Sequence, residues 1–145
     1  EAQYNLGVMY ANGRGVLEDD KEAVKWYRKA AEQRDAKAQH NLGWMYANGR
    51  GVEQDFKEAV KWYQKAADQG YALAQSALGF IYYYGRGVLE DYGAAYAWWN
   101  IAAANGDADA KKNKGIITKE MTPEQIAKAE ELVKEMVKKN PKLLK

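Results

Sequence analysis

The stretch AQHNLGWMYANGRGVEQDFKEAVKWYQKAADQG, residues 38–70, decides how the rest of the chain is read. Shifted by 36 positions in either direction, it meets a version of itself. Ala2-Gln3, Ala38-Gln39 and Ala74-Gln75 open three copies. Leu6-Gly7, Leu42-Gly43 and Leu78-Gly79 follow, then Tyr10, Tyr46 and Tyr82. Gly-Arg-Gly-Val recurs at 13–16, 49–52 and 85–88, and after it come Asp19, Asp55 and Asp91, then Trp26, Trp62 and Trp98. Ala30-Ala31, Ala66-Ala67 and Ala102-Ala103 close the units. A fixed period without slippage marks a repeat array, in which each unit buries its apolar face against its neighbours.

Within a unit, the recurring Ala, Leu and Tyr stand at i, i+4 and i+8, one face of a helix A. A glycine in mid-helix costs about 1 kcal/mol against alanine. Its return at 7, 43 and 79 predicts close approach by the paired helix, with an aromatic ring laid over the missing side chain. Gly13 and its counterparts end helix A, Gly15 and its counterparts turn the chain, and Val16 is expected to plug the first turn into the core. Asp19 with Glu22, and Asp55 with Glu58, predict capping boxes for helix B; Asp91 keeps the cap but is followed by Ala94. Helix B is expected to carry Ala23, Trp26, Tyr27, Ala30 and Ala31 inward and Lys21, Lys25, Arg28 and Glu32 outward. It should end on a left-handed glycine, as at Gly70 and Gly106, yet the first copy has Arg34 there.

The third copy changes character. Beyond Asp91 its helix B carries no charge, and Lys21, Lys25 and Lys29 become Gly93, Ala97 and Ile101. A helix that is apolar all round is covered all round. The cover follows in the sequence. Residues 108–118 read as a degenerate fourth helix A, with Lys114 in place of the core leucine. Residues 122–139 then form a helix opened by Thr122, Pro123 and Gln125. Its stripe of Ile126, Ala129, Leu132, Val133, Met136 and Val137 marks it as a C-terminal cap over the bare end of the stack. Residues 142–145 are expected to fray. The fold expected is all-α: a right-handed α/α solenoid of antiparallel helix pairs. It forms a single domain over 1–145, with repeats at 1–36, 37–72 and 73–107 and a C-terminal capping helix.

Among 145 residues the net charge is +2, which favours neither nucleic acid nor an anionic membrane. With no cysteine there are no disulfides and no thiolate metal sites, though the compartment is left open between periplasmic, secreted and cytoplasmic. No run is apolar enough to span a bilayer. Because the chain opens at Glu1 inside a repeat, a missing upstream part is expected.

The pattern A-Q-x-x-L-G-x-M-Y-x-x-G-x-G-V, then D, then A-x-x-W-Y-x-K-A-A-x-Q-G, resembles the Sel1-like repeat, a relative of the tetratricopeptide repeat, over residues 1 to about 117. The stretch MTPEQIAKAEELVKEM resembles the C-terminal cap of bacterial members. The tetratricopeptide alternative has a 34-residue period and a proline near each unit's end, which this chain lacks. The resemblance implies a right-handed solenoid acting as an adaptor for protein partners. A few members with paired cysteines are linked to cell-wall-like ligands, a link that does not transfer to a chain without cysteine.

Catalytic constellations are thin. His40 is the one histidine, so no histidine-rich metal site or His/Cys pair can be built. A Ser76–His40 pair is conceivable, since the two occupy the same repeat position on adjacent A helices, but two surface polar residues are the expected reading even before an orienting third group is asked for. The recurring aspartates are explained as caps, and a Gly-Arg-Gly turn repeated at every hairpin points to structure rather than to an anion cradle. Comparison between copies says more. Positions that vary on an outward face are free to serve a ligand. On helix A these are Tyr4, Asn5, Val8 and Asn12, then His40, Asn41, Trp44 and Asn48, then Ser76, Ala77, Phe80 and Tyr84. Val8, Trp44 and Phe80 are expected to form an apolar strip flanked by amides on the concave face. The function expected is a non-catalytic scaffold that binds a protein or peptide partner there, as a monomer and without cofactor or metal. The alternative is a binder or hydrolase of small ligands or cell-wall fragments, using Ser76, His40 and the tyrosines.

Overall fold

The computed structural model describes residues 2–12 and 19–145, without the side chains of Ala2 and Tyr10. The first Gly-Arg-Gly-Val turn, with the roles expected of Gly13, Gly15 and Val16, lies outside the described residues. The chain is all-α there, built from consecutive helix pairs. In order these are α1 (Ala2–Asn12), α2 (Asp20–Glu32), α3 (Ala36–Asn48), α4 (Phe56–Asp68), α5 (Ala72–Tyr84), α6 (Tyr92–Ala104), α7 (Ala108–Thr118) and α8 (Pro123–Lys139). A 3-10 turn, Pro141–Leu143, follows. Two compact units are present, Glu1–Ala66 and Ala67–Lys145, with the boundary inside α4.

Local chemistry sets the helix ends. The Asp19 carboxylate accepts from the N–H groups of Lys21 and Glu22 at 3.0 and 3.2 Å, and Asp55 and Asp91 accept from Glu58 and Ala94 at 3.1 and 3.0 Å. Each satisfies a donor the first turn leaves unpaired. At the other end of the B helices, Arg34, Gly70 and Gly106 all have positive φ, at 69°, 87° and 97°. Their N–H groups donate to Ala31, Ala67 and Ala103 in the same way, so the 36-residue superposition holds at the arginine.

In the first unit α1 packs on α2 and α2 on α3. The mid-helix glycines do what their recurrence predicts. A Cβ on Gly7 would stand 2.7 Å from the Tyr27 ring, and one on Gly43 would stand 2.9 Å from the Tyr63 ring. The rings fill the space of the missing side chains. The core gathers Ala23, Val24, Tyr27, Leu42, Met45 and Trp62. One expectation is corrected here: Trp26 is only half-buried, with the Lys29 ammonium 4.4 Å from its ring centre. Val24, two residues earlier, takes a core place instead. The Arg50 turn is keyed to the start of α2. Arg50 forms a two-pronged ion pair with Asp20, Nε to Oδ2 at 3.1 Å and an η-nitrogen to Oδ1 at 2.8 Å. Gly51 lies against the Asp20 carbonyl, where a side chain could not fit.

In the second unit α6 is the centre. It packs against α5, α7 and α8, and Ala97 and Ile101, which stand where α2 has Lys25 and Lys29, are fully buried. The Trp99 ring covers Gly79 as the tyrosines cover Gly7 and Gly43. α8 opens with a complete capping box: Gln125 N–H donates to the Thr122 hydroxyl at 3.1 Å, and Thr122 N–H donates to the Gln125 side chain at 2.9 Å. Ala129 of its stripe is buried and the rest half-buried. Residues 142–145 correct the second expectation. They are docked in the structure: Leu143 is 3 % exposed, Lys142 N–H donates to the Asn140 side chain at 3.2 Å, and Lys145 N–H donates to that of Asn105 at 2.8 Å.

Candidate functional site: the outward faces of the A helices

The first unit carries a side-chain-sized cleft of about 200 Å³, lined by Ala11, Asn12, Tyr27, Asn41, Trp44, Met45 and Arg50. Periodicity places these groups together. Asn12 ends α1, while Asn41, Trp44 and Met45 share α3 with the buried Leu42. Trp44 is 40 % exposed. The Arg50 guanidinium stands 5.2 Å from its ring centre while also paired to Asp20, so the ring is held on one side by a cation. The Asn48 amide donates to the Trp44 carbonyl at 2.9 Å. Asn41 donates to the Tyr4 hydroxyl at 3.4 Å, and the Tyr4 ring lies 5.9 Å from that of Tyr27. Burial pushes the Tyr27 phenol up, partly offset by its hydrogen bond with Asn41 and the charge of Arg50. Asn5 and Asn12 are exposed, and Val8 is half-buried against the core. His40 is half-buried, its ring 5.5 Å from that of Tyr63 and its Nδ1 3.2 Å from the Asn41 amide oxygen. Burial lowers its pKa from the ordinary 6.5, and the Asn41 contact acts against that shift.

In the second unit Phe80 and Tyr84 are 42 % and 58 % exposed. Phe80 sits edge-on against Trp99 at 5.3 Å, and Tyr84 meets Tyr83 edge-on at 4.9 Å, with the Arg86 guanidinium 5.6 Å from the Tyr84 ring centre. The Tyr83 hydroxyl donates to the Glu120 carboxylate, both oxygens at 2.8 Å, which drives the phenol's pKa well up. Ser76 differs from the other residues expected on the outward face: it is buried, at 6 % exposed. Where the first two repeats have Tyr27 and Tyr63, this one has the broader Trp99, whose indole N–H donates to the Ser76 carbonyl at 3.1 Å.

The outward-face comparison missed four residues. Ile116 of α7 is 46 % exposed and stands one period after Phe80, a signal passed over because that helix had lost its core leucine. Arg50 belongs to the Gly-Arg-Gly-Val turn that recurs in each copy rather than to a varying face, and Tyr27 and Met45 are core positions that also line the cleft. Among the described residues no group of three or more acidic, histidine or cysteine side chains could hold a metal ion. No described helix is long and apolar enough to cross a membrane.

Consecutive helix pairs on a fixed period, with glycine–aromatic contacts in the first three pairs, define an α-helical repeat protein. The Sel1 repeat matches three times, over residues 1–35, 36–71 and 72–107. The chain belongs to the Sel1 repeat family, whose members are generally scaffolds for protein interaction and typically not enzymes. Among solved structures it is similar to c5321, a protective antigen of uropathogenic Escherichia coli strains with an SLR fold, at 40 % identity and a TM-score of 0.89, covering 98 % of this chain and 31 % of that one. It is also similar to a Sel1 repeat protein from Oxalobacter formigenes, at 43 % identity and a TM-score of 0.76, covering 79 % of this chain and 47 % of that one. The chain thus spans less than half the length of either. No curated protein matched.

Proposed function

We propose that the chain is a non-catalytic scaffold that holds a protein or peptide segment on the outward faces of its A helices. The observation that carries this reading is Trp44: an exposed indole, backed by a fixed guanidinium, at the edge of a cleft rimmed by the Asn12 and Asn41 amides. Rigid aromatics at the rim of a small cleft that mixes apolar and amide surface can anchor a partner's side chain. A volume of about 200 Å³ lies below the roughly 300–1,000 Å³ of small-molecule pockets, which favours one side chain of a peptide over a whole ligand. The hydrolase alternative has less behind it, since Ser76 is buried. Phe80, Tyr84 and Ile116 serve the same role on the second unit.

Selection from a random peptide display library tests the reading. Enriched peptides should bind the chain and lose about thirtyfold in affinity, roughly 2 kcal/mol, on Trp44→Ala. Peptides that bind the substituted chain equally well would move the site elsewhere.

A further inference from the structure

Gln75 is wholly buried, where an amide needs every partner it can find. Its Nε2 donates to the carbonyl of Ala67 at 3.1 Å and to that of Leu143 at 2.9 Å, and its Oε1 accepts from Asn105 at 2.8 Å. The same Asn105 nitrogen donates to the Leu143 carbonyl at 2.7 Å, while Asn105 Oδ1 accepts from the N–H of Lys145 at 2.8 Å. Two side-chain amides therefore converge on one peptide carbonyl, and one of them also holds an N–H two residues further on. Asn140 anchors the start of the segment by donating to the Asp68 carbonyl at 2.9 Å, and the Leu143 side chain is buried. Gly70 makes room between these points: a Cβ there would stand 2.5 Å from the Lys142 carbonyl oxygen. Without the segment, Gln75 and Asn105 lose the acceptor they share and the place of the Leu143 side chain opens.

One repeat earlier, Gln39 makes the matching bond to Ala31 at 3.1 Å, but Arg34 stands in the place of Gly70. A side chain is present where the Lys142 carbonyl would pass, so the site is specific to the junction of Gly70, Gln75 and Asn105. Its contacts are mostly to backbone groups, which leaves Asn140 and Leu143 to specify the sequence.

We propose that this junction is a peptide-binding site separate from the A-helix faces, filled in cis by residues 140–145, and that it takes in trans a protein segment of the form Asn-Pro-x-Leu that adopts the same 3-10 turn. The tethered segment competes at an effective concentration on the order of millimolar, so the site opens to a partner only when the strap is displaced. The test uses the full chain carrying Leu143→Asp, whose strap cannot bury a carboxylate. It is titrated with the acetylated, amidated peptide Asn-Pro-Lys-Leu-Leu-Lys while the side-chain amide resonances of Gln75 and Asn105 are followed. Both should shift saturably, and the unsubstituted chain should bind at least tenfold more weakly. Adding Gly70→Arg should weaken binding at least tenfold, whereas adding Trp44→Ala should leave it unchanged. A folded Leu143→Asp chain with no saturable shift, or an unsubstituted chain that binds as well, overturns the proposal. Hydrogen exchange on the unsubstituted chain gives a second reading: the Lys145 amide should exchange at least a hundredfold faster than the amides of α6. Equal protection would mean that the strap leaves only when the unit unfolds, and would overturn the proposal too.

Discussion

Arg34, Gly70 and Gly106 share one left-handed backbone conformation in three different surroundings, which makes them a controlled series. A side chain with a Cβ costs about 1 kcal/mol there, somewhat offset because it also restricts the unfolded chain. Gly106 has nothing within 4 Å of a built Cβ, so Gly106→Arg should cost that backbone term alone, about 0.5–1 kcal/mol. Gly70→Arg carries the same term and also evicts the Lys142 carbonyl. Losing the burial of Leu143 adds about 1.5–3 kcal/mol, less what the released segment regains in freedom, for a total of roughly 2–3.5 kcal/mol. Arg34→Gly should stabilise by at most about 1 kcal/mol. Urea unfolding followed by circular dichroism and tryptophan fluorescence reads all three, with non-coincident curves expected if the two units unfold separately. Equal losses at 70 and 106 would show that the strap contributes nothing to stability and would refute the reasoning.

Trp62→Ala removes a core indole from the first unit and should cost about 3–5 kcal/mol; a melting point moved by only a degree or two would mean the ring is not structural. Gly43→Ala should destabilise by about 1–2 kcal/mol despite better helix propensity, because the new methyl meets the Tyr63 ring and the Ala59 carbonyl. Gly115→Ala, one motif position in a helix with open space around it, should instead stabilise by up to about 1 kcal/mol; the same sign at both sites in denaturant titrations would contradict the packing. His40 has a folded pKa below its ordinary 6.5, so the unfolded chain binds the proton more readily and stability falls as pH drops below 6.5, levelling once the folded value is passed. His40→Gln should remove that slope in unfolding curves taken across this window.

The fold was legible because every unit repeats its instructions. The glycine–aromatic contacts at Gly7, Gly43 and Gly79, the aspartate caps, the left-handed Gly70 and Gly106 and the burial of α6 all followed from aligning the copies. What the alignment missed occurs once. Residues 142–145 have no counterpart upstream, and nothing local in Lys-Leu-Leu-Lys names Gln75 or Asn105 as its partners. Ser76 was read as outward because its position varies between copies, but variation there accompanies a larger ring at Trp99. The bidentate pairing of Arg50 with Asp20 escaped for a similar reason: the arginine recurs while its acidic partner is Phe56 in the next copy.

The charge-free surface of α6 also bears on how such a gene can lengthen. A tandem duplication of the second repeat would copy a B helix with Lys57, Lys61 and Lys65 facing outward, and the new helix could meet water without cost. Duplicating the third repeat would copy Ala97, Ile101 and their neighbours without copying α8, and leave one of the two helices with no cover for that side. Growth by recombination is therefore open upstream of residue 72 and closed downstream of it, and an engineer adding repeats faces the same one-way constraint.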